Sequence, residues 1–260
     1  MKLEDQIVIE DYETVQRQKL GRKFAFALGI VLGSVVFVTM LHYLHLSDEK
    51  HAIACFKVLI IFSIPGLVER MFKILLPSML SVSIQLFTFA AIILGEINSF
   101  YVRYSFWDVI LHTFSGFMWA AVGFMLFGIL FNHQRKSKVT VSPLPILIAA
   151  FCVSITIGGV WELYEFGADQ VMNRDMQKDT IIHTIKSVQL DSSHSLMVLN
   201  DISNVTVDGR NLELNGYLDI GLYDTMYDLI NNLIGALAFG ALGLIDTRIL
   251  RGKFISYLLV

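Results

Sequence analysis

Charge is scarce in this chain: Asp, Glu, Lys and Arg make up 17% of its 260 residues, against 55% hydrophobic residues. That balance is too apolar for a soluble domain to hide in one core and points to lipid as the solvent. The Lys and Arg residues form no basic patch on a soluble face and cluster beside apolar runs, which argues against nucleic acid as a partner. Cysteine is nearly missing as well. Cys55 and Cys152 both fall inside apolar runs and no disulfide is expected. Residues 170–223 contain no cysteine, so sulfur chemistry leaves the redox compartment unread. Also missing are a Gly-x-Ser-x-Gly elbow, a Cys-x-x-Cys pair, a His-Glu-x-x-His helix and a phosphate-cradling glycine loop. Their absence argues against nucleophilic serine or cysteine chemistry and a conventional zinc site.

Long apolar runs are plentiful. A helix needs about 20 apolar residues to cross about 30 Å of hydrocarbon. Six runs qualify: Phe24–Leu46, Ala52–Val68, Pro77–Gly95, Trp107–Phe131, Pro143–Phe166 and Leu222–Ile245. The first follows a charged amphipathic leader, residues 1–23, without a small-residue cleavage pattern, and reads as a retained helix. Its Gly29-x-x-x-Gly33 spacing permits close helix contact, a weak signal for dimerisation. The fold expected is an all-α polytopic bundle of six transmembrane helices, with residues 24–169 holding the first five and 222–245 the sixth.

Positive charge in short flanks stays cytoplasmic. Lys2, Arg17, Lys19, Arg22 and Lys23 in the leader, Arg70 and Lys73, then Arg135, Lys136 and Lys138, and finally Arg248, Arg251 and Lys253 in the tail (246–260) all fall on one side. The opposite short connections carry only Lys50 and Arg103. Both termini are therefore expected in the cytoplasm.

Residues 170–221 then form an extracytoplasmic cap. Short alternating runs at Lys186–Leu190, Leu196–Leu199, Val205–Val207 and Asn211–Leu214 read as strands, and Asp208-Gly209 reads as a type I′ hairpin turn. Asn204-Val-Thr206 matches a glycosylation sequon, a short pattern that arises often by chance.

Ionisable groups are costly in lipid, so their placement carries the most information. The fourth span opens with Asp108 and His112, the fifth ends with Glu162, Glu165 and Asp169, and the sixth opens with Asp224 and Asp228 followed by Asn232. All fall in the outer half of the membrane under the orientation above. Residues three or four apart share a helix face, so each group forms one stripe. Convergence of the three stripes would surround one site with about six carboxylates and an imidazole, a set that needs protons, a divalent metal or a bound cation for balance. His112, Glu162, Glu165 and Asp228 are the candidate metal ligands. Asp108 one turn from His112 can fix the tautomer of an imidazole acting as base or ligand. Lys57, Glu96, Arg103 and Asn232 are candidate substrate contacts in the same layer, Lys57 either bridging to the cluster or snorkelling to headgroups. For any single carboxylate the commoner role is structural, and Asp224 suits a helix cap. Glycines such as Gly158-Gly159 and Gly235–Gly243 read as packing positions.

The combination Asp108-x-x-x-His112-x-x-x-Gly116, Trp161-Glu162-x-x-Glu165 and Asp224-Thr225-x-x-Asp228 leading to Gly235-Ala236 resembles the YjdF-like family of bacterial inner-membrane proteins, over roughly residues 90–245. A looser similarity links the same alternation to VanZ-like glycopeptide-resistance membrane proteins. The resemblance implies a bacterial cytoplasmic membrane and a site shared by Asp108, His112, Glu162, Glu165, Asp224 and Asp228, without implying a reaction. Three functions stay open, in this order: binding or processing of a lipid or lipid-linked envelope substrate with metal assistance, proton- or cation-coupled transport, and a non-catalytic membrane partner.

Overall fold

The computed structural model describes residues 3–133, 143–246 and 249. Lys2, Arg135, Lys136, Lys138, Arg248, Arg251 and Lys253, used above to orient the chain, lie outside the described residues, as does most of the tail. Two compact units divide the chain: Met1–Ile157 with Asn231–Val260, and Gly158–Ile230. Among the described residues, six helices are long and apolar enough to cross a membrane.

The first unit begins with α1 (Leu3–His45), a single 43-residue helix in which the leader runs into the first span without a break. Next come α2 (Glu49–Phe72) and α3 (Ser78–Thr88), the latter continuing as a π-helix over Phe89–Ile97. A short α4 (Phe100–Arg103) leads to α5 (Phe106–His133). The two remaining long helices, α6 (Pro143–Met172) and α7 (Leu222–Ile245), each contribute residues to both units.

Small residues decide how α1 meets α3. A Cβ at Gly21 would run into the Ser78 hydroxyl, and one at Gly29 would come within 2.9 Å of Gln85 Nε2, whereas Gly33 faces open space. Gly29 is thus consumed inside the chain, and the Gly29-x-x-x-Gly33 spacing is not a single contact surface. Gln85 is itself buried, with Oε1 accepting no hydrogen bond among the described residues. At one end of this layer Arg22 pairs with Glu69 at 3.3 Å, and Glu69 Oε1 also accepts from Leu76 N at 2.9 Å, tying the turn after α2. Lys73, in the left-handed region at φ 54°, stops α2.

At the α1–α2 turn, Asp48 caps α2 by accepting from His51 N at 3.2 Å, and its other oxygen lies 2.6 Å from His51 Nδ1. Tyr43 stacks on the His51 ring with centroids 4.8 Å apart. The His51 side-chain hydrogen bond, followed by its backbone amide, holds the Asp48 carboxyl below its ordinary value. A depressed carboxyl stabilises the fold above its unfolded value, and that contribution disappears as pH falls through the lower folded value. The expected result is that the protection of the His51 amide, relative to its intrinsic exchange rate, falls below about pH 4 in the wild-type protein. An Asp48→Ala variant should show that low protection at every pH.

The core of this unit has two patches. One joins α5, α6 and α7 through Ala120, Ala121, Phe124, Leu147, Ala150, Ala236 and Phe239. The other joins Val36, Cys55, Val58 and Ile93. Alanine and glycine at the first patch let backbones touch: a Cβ at Gly116 would enter the Asn232 backbone, one at Gly235 the Thr113 carbonyl, and one at Gly123 would sit 3.0 Å from Ala150 Cα. Glycine packing therefore holds at Gly235. It does not explain Gly159 or Gly240, where an added Cβ meets nothing within 4 Å among the described residues. Large apolar side chains point outward instead, among them Phe26, Val31, Leu126, Ile148 and Leu237. That inversion is what a lipid solvent permits.

The second unit holds the C-terminal part of α6, the start of α7 and the segment between them. The strands are β1 (Thr180–Ile182), β2 (Ile185–Ser187), β3 (Met197–Leu199), β4 (Thr206–Val207), β5 (Arg210–Asn211) and β6 (Tyr217–Asp219). They form three separate two-stranded antiparallel ribbons, β1–β6, β2–β3 and β4–β5. Asp208 and Gly209 both take positive φ, 48° and 76°, between the paired Val207 and Arg210, as a type I′ turn requires. The β1–β6 ribbon pairs Thr180 with Asp219 and closes the segment at its base.

Candidate functional site

Helix α6 is inverted relative to a soluble helix. Over its C-terminal turns Trp161, Leu163, Tyr164 and Phe166 are exposed while Glu162 and Glu165 are buried, at 6% and 7% of their full accessibility. The i, i+3 spacing places both carboxylates on one face. On α7 the buried positions are Asp228, Asn232, Gly235, Ala236, Phe239 and Gly243, with Met226, Tyr227, Ile230 and Ile234 facing outward. Asp228 is 4% exposed. Within the second unit Glu162, Glu165 and Asp228 each present a carboxylate oxygen, and these oxygens lie within 4.8 Å of one another.

Three ionised carboxylates at such spacing repel by on the order of 3 kcal/mol per pair at an effective dielectric of 20. Compensating positive charge is required, from protons or from a cation. All three offer hard oxygen donors on rigid helices, which is the donor chemistry of Mg²⁺, Mn²⁺ or Ca²⁺.

In the first unit Asp108 and His112 pair along one face of α5, with His112 Nε2 3.5 Å from Asp108 Oδ1 and both side chains mostly covered. One turn further along α5 is Gly116, whose carbonyl accepts from Ser154 Oγ at 2.7 Å. Asn232 Nδ2 donates to the Ser154 carbonyl at 3.3 Å, so Ser154, fully buried, clasps α5, α6 and α7. Asn232 Oδ1 is buried and accepts no hydrogen bond among the described residues.

Asp169 and Asp224 have a visible local duty. Asp169 accepts from Met176 N at 2.7 Å and Gln177 N at 2.8 Å, and Asp224 accepts from Lys178 N at 2.9 Å. The Gln177 side chain also reaches Thr225 Oγ1. Together they fasten the chain leaving α6 to the start of α7. Asp219 also satisfies an amide at the start of α7, accepting from Tyr223 N at 2.9 Å. Lys57, Glu96 and Arg103 are exposed and make no side-chain hydrogen bond or ion pair among the described residues. Sequence reading passed over Ser154 and Gln177, whose small or neutral polar side chains carry no charge signal. It also passed over Asp246, which is fully buried just past the last turn of α7.

Asp179 belongs to a second acidic group outside the spans. Partial burial, then repulsion from Asp175, Asp219 and Asp169, pushes its carboxyl above the ordinary value. A raised carboxyl favours folding only when protonated, so at neutral pH its charge opposes the folded state. Asp179→Asn should therefore stabilise the second unit at pH 7, and the difference should vanish below about pH 4, where Asp179 is protonated in both states. Proteolysis of the β-ribbons at the two pH values measures it.

Six apolar spans among the described residues define a multi-pass membrane protein, and three of its carboxylates are buried together. The chain belongs to the DUF2238 family of predicted membrane proteins, whose profile matches residues 27–248. No curated protein and no solved structure matches the chain.

Proposed function

We propose that the protein binds a divalent cation through Glu162, Glu165 and Asp228 and uses it to hold or process the anionic headgroup of a lipid or lipid-linked envelope substrate. The single observation that carries this reading is the approach of three buried carboxylates within 4.8 Å of one another. A cation so held keeps positive charge for a phosphate or carboxylate oxygen entering from the headgroup layer and can act there as a Lewis acid. The Asp108–His112 pair is suited to proton transfer. Positive charge beside the opposite ends of the spans supports an outer-leaflet site and cytoplasmic termini. The resemblance to YjdF-like proteins supports the bacterial cytoplasmic membrane as its location.

The test is lipid analysis of protein purified in mild detergent with manganese present. An anionic envelope lipid should be enriched on the wild-type protein, and should be lost on chelation and in Asp228→Asn. Identical lipids on all three samples would overturn the substrate reading. Cation flux by the purified protein in liposomes, abolished by Asp228→Asn, would replace it with coupled transport.

A further inference from the structure

The segment between α6 and α7 carries a groove that neither the acidic site nor the packing of the segment accounts for. It is shallow and wide open to the outside, with about 520 Å³ of accessible space. One wall is apolar: Ile185 and Leu199, paired across β2–β3, lie on the same ribbon face. Tyr217 of β6 supplies an aromatic ring from a second ribbon, and residues 200–206 supply the rest. This loop is held from outside the groove. Ile202 N donates to His183 O at 3.0 Å, His183 Nδ1 lies 3.0 Å from Ile202 O, and Leu212 N donates to Val205 O at 2.9 Å. Asp201 takes the left-handed conformation at φ 54°.

The lining selects a ligand class. It contains no Lys, Arg or His, so nothing in it favours a phosphate or another anion, and Asp201 is its one charged group. Asp201, Ser203, Asn204 and Tyr217 make no side-chain hydrogen bond among the described residues, which leaves acceptors and donors for a ligand. Tyr217 remains 42% exposed and Leu199 41% exposed although the segment has no buried hydrophobic residue of its own. An aromatic ring and an apolar wall beside a row of short hydroxyl, amide and carboxylate groups complement a sugar, which has apolar C–H faces and a belt of hydroxyls.

We propose that this groove binds a neutral saccharide, the ring stacking on Tyr217 and its hydroxyls donating to Asp201. The link to an envelope glycan rests on the substrate reading given above; the saccharide site itself does not.

The experiment is saturation-transfer NMR on the full chain in nanodiscs, with N-acetylglucosamine and its β-1,4-linked trimer as probes. Transfer to the wild-type protein is expected, weakened about tenfold by Tyr217→Ala through loss of ring stacking. Tyr217→Phe keeps most of the binding, and Asp201→Asn, which keeps the shape, weakens it several-fold. No transfer to the wild-type protein, or wild-type affinity retained in both Tyr217→Ala and Asp201→Asn, overturns the proposal. Manganese binding measured on the same samples separates the two readings. A wild-type protein that binds manganese but no saccharide rejects the cap site alone, and one that binds saccharide but no manganese rejects the cation site alone.

Discussion

Glu165→Gln should change the melting temperature with opposite signs in the absence and presence of a divalent cation. Without metal, the three carboxylates of Glu162, Glu165 and Asp228 crowd a dry volume, and replacing one by an isosteric amide removes repulsion between buried groups. The chelated variant should then melt several degrees above the chelated wild type. With manganese at about 100 times its dissociation constant, the wild type gains about 2.7 kcal/mol by mass action and the variant gains almost none. The order of melting should reverse. A purely structural acidic cluster predicts the same order in both conditions, since metal would stabilise neither protein.

The second large effect concerns the crossing of α5 and α7. Gly235→Ala places a methyl group into the Thr113 carbonyl, and Gly116→Ala places one into the Asn232 backbone. Neither obstacle is the end of a flexible side chain, so the helices must separate. That shift would also disturb the Ser154 hydrogen bonds to Gly116 O and from Asn232. The cost expected is more than about 3 kcal/mol, enough to abolish monodisperse protein in detergent. Gly240→Ala makes the control. Its Cβ meets nothing within 4 Å among the described residues, so the change should be neutral or stabilising by up to about 1 kcal/mol through helix propensity. Size-exclusion profiles and thermal melts of the three variants decide the point.

Much of this architecture is legible in sequence because lipid imposes one strong constraint. A run must be long and apolar to span, and all six spans were visible on that ground, with Leu222–Ile245 matching α7 at both ends. Helix ends set by local geometry were not visible: α6 continues to Met172, beyond Phe166, because Gly167 and Ala168 do not interrupt a helix. The π-helical stretch over Phe89–Ile97 has no sequence signature at all. In the segment between α6 and α7 the Asp208-Gly209 turn was readable, since two adjacent positive-φ positions need those residue types. The β1–β6 ribbon was missed because three-residue strands joined across the whole segment leave no periodic pattern.

For the site, the i, i+3 spacing of Glu162 and Glu165 announces a shared face, and burial of Asp228 completes a triad that spacing within one helix cannot specify. Local spacing was equally blind to competition for carboxylates. Asp169 and Asp224 share the acidic stripes, yet backbone amides of residues 176–178 occupy their oxygens. Lys57, Glu96 and Arg103 were grouped by expected depth alone, and depth does not tell which side of a helix faces lipid.

The most direct measurement is electron paramagnetic resonance of Mn²⁺ titrated into the purified protein. One bound ion per chain is expected in the wild type and in Asp169→Asn, and none in Glu162→Gln, Glu165→Gln or Asp228→Asn. Absence of bound Mn²⁺ in the wild type, or its survival in all three carboxylate variants, would contradict the cation site.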